Sequence, residues 1–250
     1  MFKALFSNDQ ALITVLAILL VNGSLYLTSN LIIYFFKYDV GGTGWMGNYT
    51  LFTMVGGVCQ ILGMMVVYPL LHKKLSNTTL FKIALTMAMA GYGLILGICL
   101  LGFSSNMILL CVCGALVFMA NGILTVLTTV FLSGSVDYGQ LKTGRREESV
   151  IFSMQTFVVK AASGIAVFIT GIGLDLIGLV GDTSETEEIA AQSADTILGL
   201  RLLMTILPIL GLGIAFIFFV KKFKLTDKKV QEIAETLKSQ KEQQEVTENA

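Results

Sequence analysis

"SMQTFVVKAASGIAVFITG", Ser153 to Gly171, carries a single charge, Lys160, near its middle. Nothing else between Glu148 and Asp175 is ionised. The apolar run around it reaches the roughly 20 residues that a helix needs to cross a bilayer. A barrel strand needs only about 10 residues of alternating character, so this run reads as a membrane helix.

The same signal recurs along the chain. Six segments reach spanning length, at about residues 12–36, 49–71, 80–102, 107–132, 150–179 and 198–223. The predicted fold class is an all-α membrane protein whose residues 1–224 form a six-helix transmembrane bundle. Composition agrees: 54% of residues are hydrophobic and 14% charged, against about 25% charged in soluble domains. Mean hydropathy is +0.78. With Gly 25 and Pro 2, small residues can let helix backbones approach closely, and the Gly93/Gly97 pair reads as such a packing contact.

Net charge is zero, which names no partner, and none of nucleic-acid type is expected. The distribution of charge sets an orientation. Lys3, His72, Lys73, Lys74, Lys82, Lys142, Arg145, Arg146, Lys221 and Lys222 fall on one side. Opposite lie Lys37 and Arg201, beside Asp182, Glu185, Glu187, Glu188 and Asp195. The positive-inside rule then places both termini in the cytoplasm of a multi-pass plasma-membrane protein. The opening "MFKALFSNDQ" does not read as a cleaved signal, because its apolar run continues to spanning length. Residues 225–250 read as a cytoplasmic tail. Val230, Ile233, Ala234 and Leu237 fall on one face of a short amphipathic helix, and the Gln- and Glu-rich remainder predicts a solvated, fraying end.

Catalytic and metal motifs fail. Cys59, Cys99, Cys111 and Cys113 lie in apolar runs and His72 is the single histidine, so no metal site is expected. Gly134 and Gly139 have the spacing of a phosphate loop, but Gln140 and Leu141 follow in place of Lys and Ser/Thr. No Ser/His/Asp or Cys/His set can be assembled, so an enzyme is not expected.

Polar residues inside the spans fall in register. Asn22, Tyr26, Ser29 and Asn30 share a face of the first span; Asn121, Thr125, Thr128 and Thr129 repeat that spacing in the fourth. In the fifth, Thr156, Lys160, Ser163 and Gly164 share a face with Gln155 at its margin. Lipid satisfies none of these groups, so the faces should turn towards each other or towards water. Any one of them could be a helix-packing contact; three stripes and a lysine favour a hydrated substrate pathway. Lys160 lies ~15 Å into its span, where a lysine costs about 2.5–3.5 kcal/mol. Asp175 is ~22 Å along the same helix, and Asp9, Asp39 and Asp137 lie towards span ends. No carboxylate of the chain is placed to balance it.

"DYGQLKTGRREES", Asp137 to Ser149, followed by "SMQTFVVKAASG", resembles the glycoside–pentoside–hexuronide:cation symporters, a branch of the major facilitator superfamily whose best-known member is the melibiose carrier. "YFFKYDVGG" after a polar first span resembles the start of that family's second half, and the resemblance covers essentially the whole chain. It implies the C-terminal six-helix half of a twelve-span transporter, with a sugar or glycoside and a coupling cation (Na⁺, Li⁺ or H⁺) bound between the halves and no tightly bound cofactor. It implies an N-terminal half as partner, whose carboxylates would balance Lys160, and it places Gln155 and Thr156 beside Lys160 on the cavity-facing helix. With these, Asn22, Tyr26, Asn30, Asn121 and Thr125 make up the expected substrate cavity. Asp137, Arg146 and Glu148 match charged positions that meet the opposite half at the cytoplasmic side. Thr125 stands where the melibiose carrier has a cavity tryptophan. The alternative reading is a non-transporting membrane interaction module whose polar stripes only pack helices. A homodimer of halves would set Lys160 against Lys160, which like-charge repulsion disfavours.

Overall fold

The computed structural model describes residues 8–181 and 190–248. Lys3 and the acidic residues Asp182, Glu185, Glu187 and Glu188 lie outside the described residues. The elements are α1 (Asp9–Tyr34), running on through a π-helical turn (Phe35–Val40), and α2 (Trp45–Leu62), which a second π turn (Gly63–Val67) joins to α3 (Tyr68–His72). Then follow α4 (Asn77–Leu100), α5 (Met107–Thr143), α6 (Glu148–Leu176), α7 (Ala194–Lys222) and α8 (Asp227–Glu248). Among the described residues there is no strand, and six helical stretches are long and apolar enough to cross a membrane.

Side-chain oxygens start these helices where the sequence turns polar. Asn8 caps α1 by accepting from Ala11 N, and Ser76, Asn106 and Ser193 accept from Thr79, Leu109 and Thr196 at the starts of α4, α5 and α7. Two spans run past their predicted ends. The first continues through its π turn to Val40. The fourth continues from residue 132 to Thr143, because the polar "DYGQLKT" can keep its helical hydrogen bonds beyond the apolar run; Gly144, at φ 73°, then ends it.

α1 is the hub. It packs against α6, α7 and α5, while α5 also packs against α4 and α2. Over the most apolar 18 residues of each, 56% of the first span is buried inside the protein and 17% of the second, so α2 is peripheral, and with its π turn it directs Met54, Val58, Ile61 and Met65 outward. A large core runs through α1, α4, α5 and α7, and a smaller one joins Ala11, Val15 and Ile18 to Met154 and Val158 of α6.

Backbones touch where α2 crosses α5. A Cβ at Gly63 would collide with Met119 O, and one at Gly122 with Gln60 O. The expected packing contact at Gly93 and Gly97 is corrected: a Cβ at either would meet nothing within 4 Å. Both point away from the bundle, and the close contact on that helix is Gly91 against Val117.

Both ends of the described chain lie at one end of the bundle. Asn8 Nδ2 donates to Ser135 O at 2.7 Å, and Lys224 N donates to Gln10 Oε1 at 2.8 Å. α8 seats there with an apolar face rather than standing free in solvent. Ile233 and Leu225 are buried, Val230 faces Gly134 of α5, and Asp227 Oδ2 accepts from Asn77 N at 2.8 Å. At the opposite end Arg201 bridges the π turn of α1 to α4 and α7.

Candidate functional site

Residues spaced i, i+4, i+7 share a helical face, and α1 uses that spacing to turn Asn22, Tyr26 and Ser29 to one side. Between that face, α2 and α5 lies a cavity of about 510 Å³, within the roughly 300–1,000 Å³ typical of small-molecule sites. Asn121 and Thr125 of α5 line it, with Tyr49, Thr53 and Gln60 of α2 and Tyr92 of α4. None of its lining side chains is charged. Tyr26, Tyr49, Tyr92 and Phe118 give it amphipathic aromatic walls, suited to a ligand that is apolar on its faces and polar at its rim.

Several polar groups of the lining are already engaged. Asn22 Nδ2 donates to Ile18 O at 2.9 Å, Thr53 Oγ1 to Tyr49 O at 2.9 Å, and Thr125 Oγ1 to Asn121 O at 2.9 Å. Thr28 Oγ1 donates to Tyr92 Oη at 2.8 Å. Asn121 differs: its side chain is buried and its Oδ1 meets no donor.

The structure thus brings Asn22, Tyr26, Asn121 and Thr125 into one lining and leaves four expected residues out of it. Asn30 does not line the cavity, because eight residues at 100° each carry it about 80° round the helix from Asn22. Lys160, Gln155 and Thr156 lie outside it because α6 packs on the Val15–Ile18 side of α1. Lys160 is exposed, about 18 Å from the Glu148 end of α6. It sits opposite the buried row Met154, Val158, Ala162 and Ala166, on a face shared with Ser153, Thr156 and Gly164. Gln155 and Ser163 are half-buried. Among the described residues no carboxylate pairs with Lys160.

The charged residues at the terminal end do meet. Arg146 donates through Nη1 to Asp137 Oδ1 at 2.8 Å and to Gln140 Oε1 at 3.1 Å, and through Nε to Glu148 Oε2 at 2.9 Å. Hydrogen bonds to Glu148 first, then to Asp137, hold its guanidinium above the ordinary arginine range. Gly144, in the left-handed region, turns the chain so that Arg146 can reach back along α5. Among the described residues no group of three His, Cys, Asp or Glu side chains could hold a metal ion.

Gln60, Thr53 and Tyr92 are cavity residues the sequence reading missed. Gln60 had a signal, as the one amide in the apolar run "VGGVCQILGMMVV". Tyr92 had none, since a tyrosine in an apolar helix reads as core.

A family model described as "MFS/sugar transport protein" matches residues 1–227 of the chain. The chain is 28% identical over 235 residues to the uncharacterized symporter YjmB of Bacillus subtilis, covering 93% of this chain and 47% of that protein. It is 26% identical over 247 residues to the lactose permease of Lactobacillus helveticus, covering 98% and 36%. With the raffinose carrier protein of Pediococcus pentosaceus it shares 29% identity over 241 residues, covering 94% and 35%. The chain therefore spans half or less of the length of these relatives, which are named as a symporter, a permease and a carrier rather than as enzymes.

Proposed function

Because the chain belongs to the MFS/sugar transport protein family, we propose that it forms one six-helix bundle of a sugar:cation symporter. The observation that carries the reading is the uncharged polar cavity set among helices of membrane-spanning length. A sugar offers hydroxyls at its rim and C–H faces between them, which suits amide and hydroxyl groups set among tyrosine rings.

Lys160 supports a second bundle facing this one. An exposed ammonium deep in a span is expensive in lipid, and carboxylates across a central cavity would balance it. Those carboxylates would also hold the coupling cation, written here as Na⁺, Li⁺ or H⁺. Cation and sugar then favour each other's binding by the same factor, since coupling free energies are reciprocal. The two bundles rock about the midplane site, and the Asp137–Arg146–Glu148 cluster lies at the end where they would meet when the inner side closes. In this reading the end at which both ends of the described chain lie is cytoplasmic, in keeping with the excess of Lys and Arg there, and the bilayer is the plasma membrane.

The test is uptake of labelled lactose and raffinose by cells that express the chain from its own gene, compared with cells in which the gene is deleted. Loss of gradient-dependent uptake on deletion supports the assignment. Unchanged uptake of both sugars under Na⁺ and H⁺ gradients overturns it, in favour of a non-transporting module.

A further inference from the structure

Asn121 is 8% exposed, and its Oδ1 is one of two buried side-chain polar atoms without a partner among the described residues. The other, Thr170 Oγ1, does not line the cavity. A buried carbonyl-type oxygen left without a donor is unfavourable, and native proteins seldom keep one without a use for it. Within the cavity the Asn22 amide and the Thr53 and Thr125 hydroxyls donate to carbonyls of their own helices, Thr28 donates to Tyr92, and no lining group donates to Asn121 Oδ1. A hydroxyl carried into the cavity would supply the missing donor.

We infer that Asn121 is a specificity-determining residue, its Oδ1 accepting a hydrogen bond from one hydroxyl of an uncharged sugar unit seated among Tyr26, Gln60 and Thr125. The inference rests on the transport reading and narrows it. The lining contributed by this bundle holds no charge and so offers an anionic sugar no counter-charge, which favours an uncharged one. Asn121 is held to the task by its own helix, where its backbone oxygen accepts from Thr125 and the neighbouring Gly122 rests on Gln60 O.

The experiment places Asn121→Leu, and separately Asn121→Ala, in the chain's own gene and measures KM and maximal rate for labelled lactose, with monodeoxy lactoses and a sulfonated hexose as competitors. In the unaltered protein one monodeoxy lactose competes roughly tenfold or more less well than lactose, and the sulfonated hexose does not compete. Either substitution raises KM by roughly tenfold or more and abolishes discrimination against that analogue. Membrane levels, measured alongside, identify a variant that fails to fold, and the other variant then decides. An unchanged KM, retained discrimination, or competition by the sulfonated hexose overturns the inference. Failure of the unaltered protein to transport lactose and raffinose overturns the transport reading itself.

Discussion

Arg201 grips Asp39 with two parallel bonds, Nη2 to Oδ1 at 2.6 Å and Nε to Oδ2 at 2.7 Å, across a sequence separation of 162. Its third donor, Nη1, reaches Cys99 O at 2.8 Å. One guanidinium thereby ties the π turn that ends α1 to α4 and α7. The Asp39 side chain is 2% exposed and that of Arg201 19%, so the pair is not a screened surface contact.

Removing either partner leaves the other without its counter-charge in a largely buried site. Asp39→Ala or Arg201→Ala is expected to destabilise the bundle by about 3–5 kcal/mol, read as a fall in the melting temperature of the purified protein in detergent. Arg201→Lys should recover only part of this, because a lysine cannot supply the planar two-pronged bond. A melting temperature unchanged by Arg201→Ala would contradict the assignment.

At the crossing of α2 and α5 the prediction separates glycines that look alike in sequence. Gly122→Val puts carbon into Gln60 O and should cost about 1–3 kcal/mol or displace α2. Gly93→Ala and Gly97→Ala meet open space and should leave the melting temperature unchanged or slightly raised, since alanine favours helix over glycine by about 0.8–1.0 kcal/mol. A tolerated Gly122→Val alongside a damaging Gly97→Ala would reverse the packing described.

The terminal helix gives a third test. Ile233→Asp puts a charge where α8 meets the rest of the protein, and Asp227→Ala removes the acceptor for Asn77 N at the start of α4. Loss of such a cap costs about 1 kcal/mol. Both variants should make α8 markedly more sensitive to protease while the six spans stay intact. Equal cleavage of wild type and variants would show that α8 is not docked.

The cluster around Arg146 should behave differently. Its side chain is 50% exposed, and exposed ion pairs are worth about 0–1 kcal/mol. Arg146→Ala is therefore expected to leave stability almost unchanged, and, under the proposal that the cluster meets a second bundle when the inner side closes, to lower the maximal rate of uptake at near-constant KM. A change in KM with an unaltered rate would place the cluster in substrate binding instead.

Much of this architecture was legible in the sequence because a bilayer imposes length and hydropathy on every span. The stripe at Asn22, Tyr26, Asn121 and Thr125 was legible for a related reason: polar groups inside a membrane helix share the face that escapes lipid. Asn30 misled, because the drift of a helix over eight residues is too large to neglect. Asp39 and Arg201 could not be paired in advance, since nothing local couples residues so distant in the chain. Gly93 and Gly97 had the spacing of a packing pair, but spacing alone does not say which side of a helix has a neighbour. The face around Lys160 was readable as polar, yet its separation from the cavity depends on how α6 leans on α1.

Lys160 is where the account is most exposed to refutation, and sugar accumulation is its most direct measure. Cells expressing Lys160→Ala from the chain's own gene would be loaded with labelled sugar under an imposed Na⁺ or H⁺ gradient, with membrane level measured in parallel. The expected result is normal insertion with an inside-to-outside ratio that never rises above equilibration. Accumulation equal to the unaltered protein would contradict a role for this ammonium group opposite the carboxylates of a second bundle.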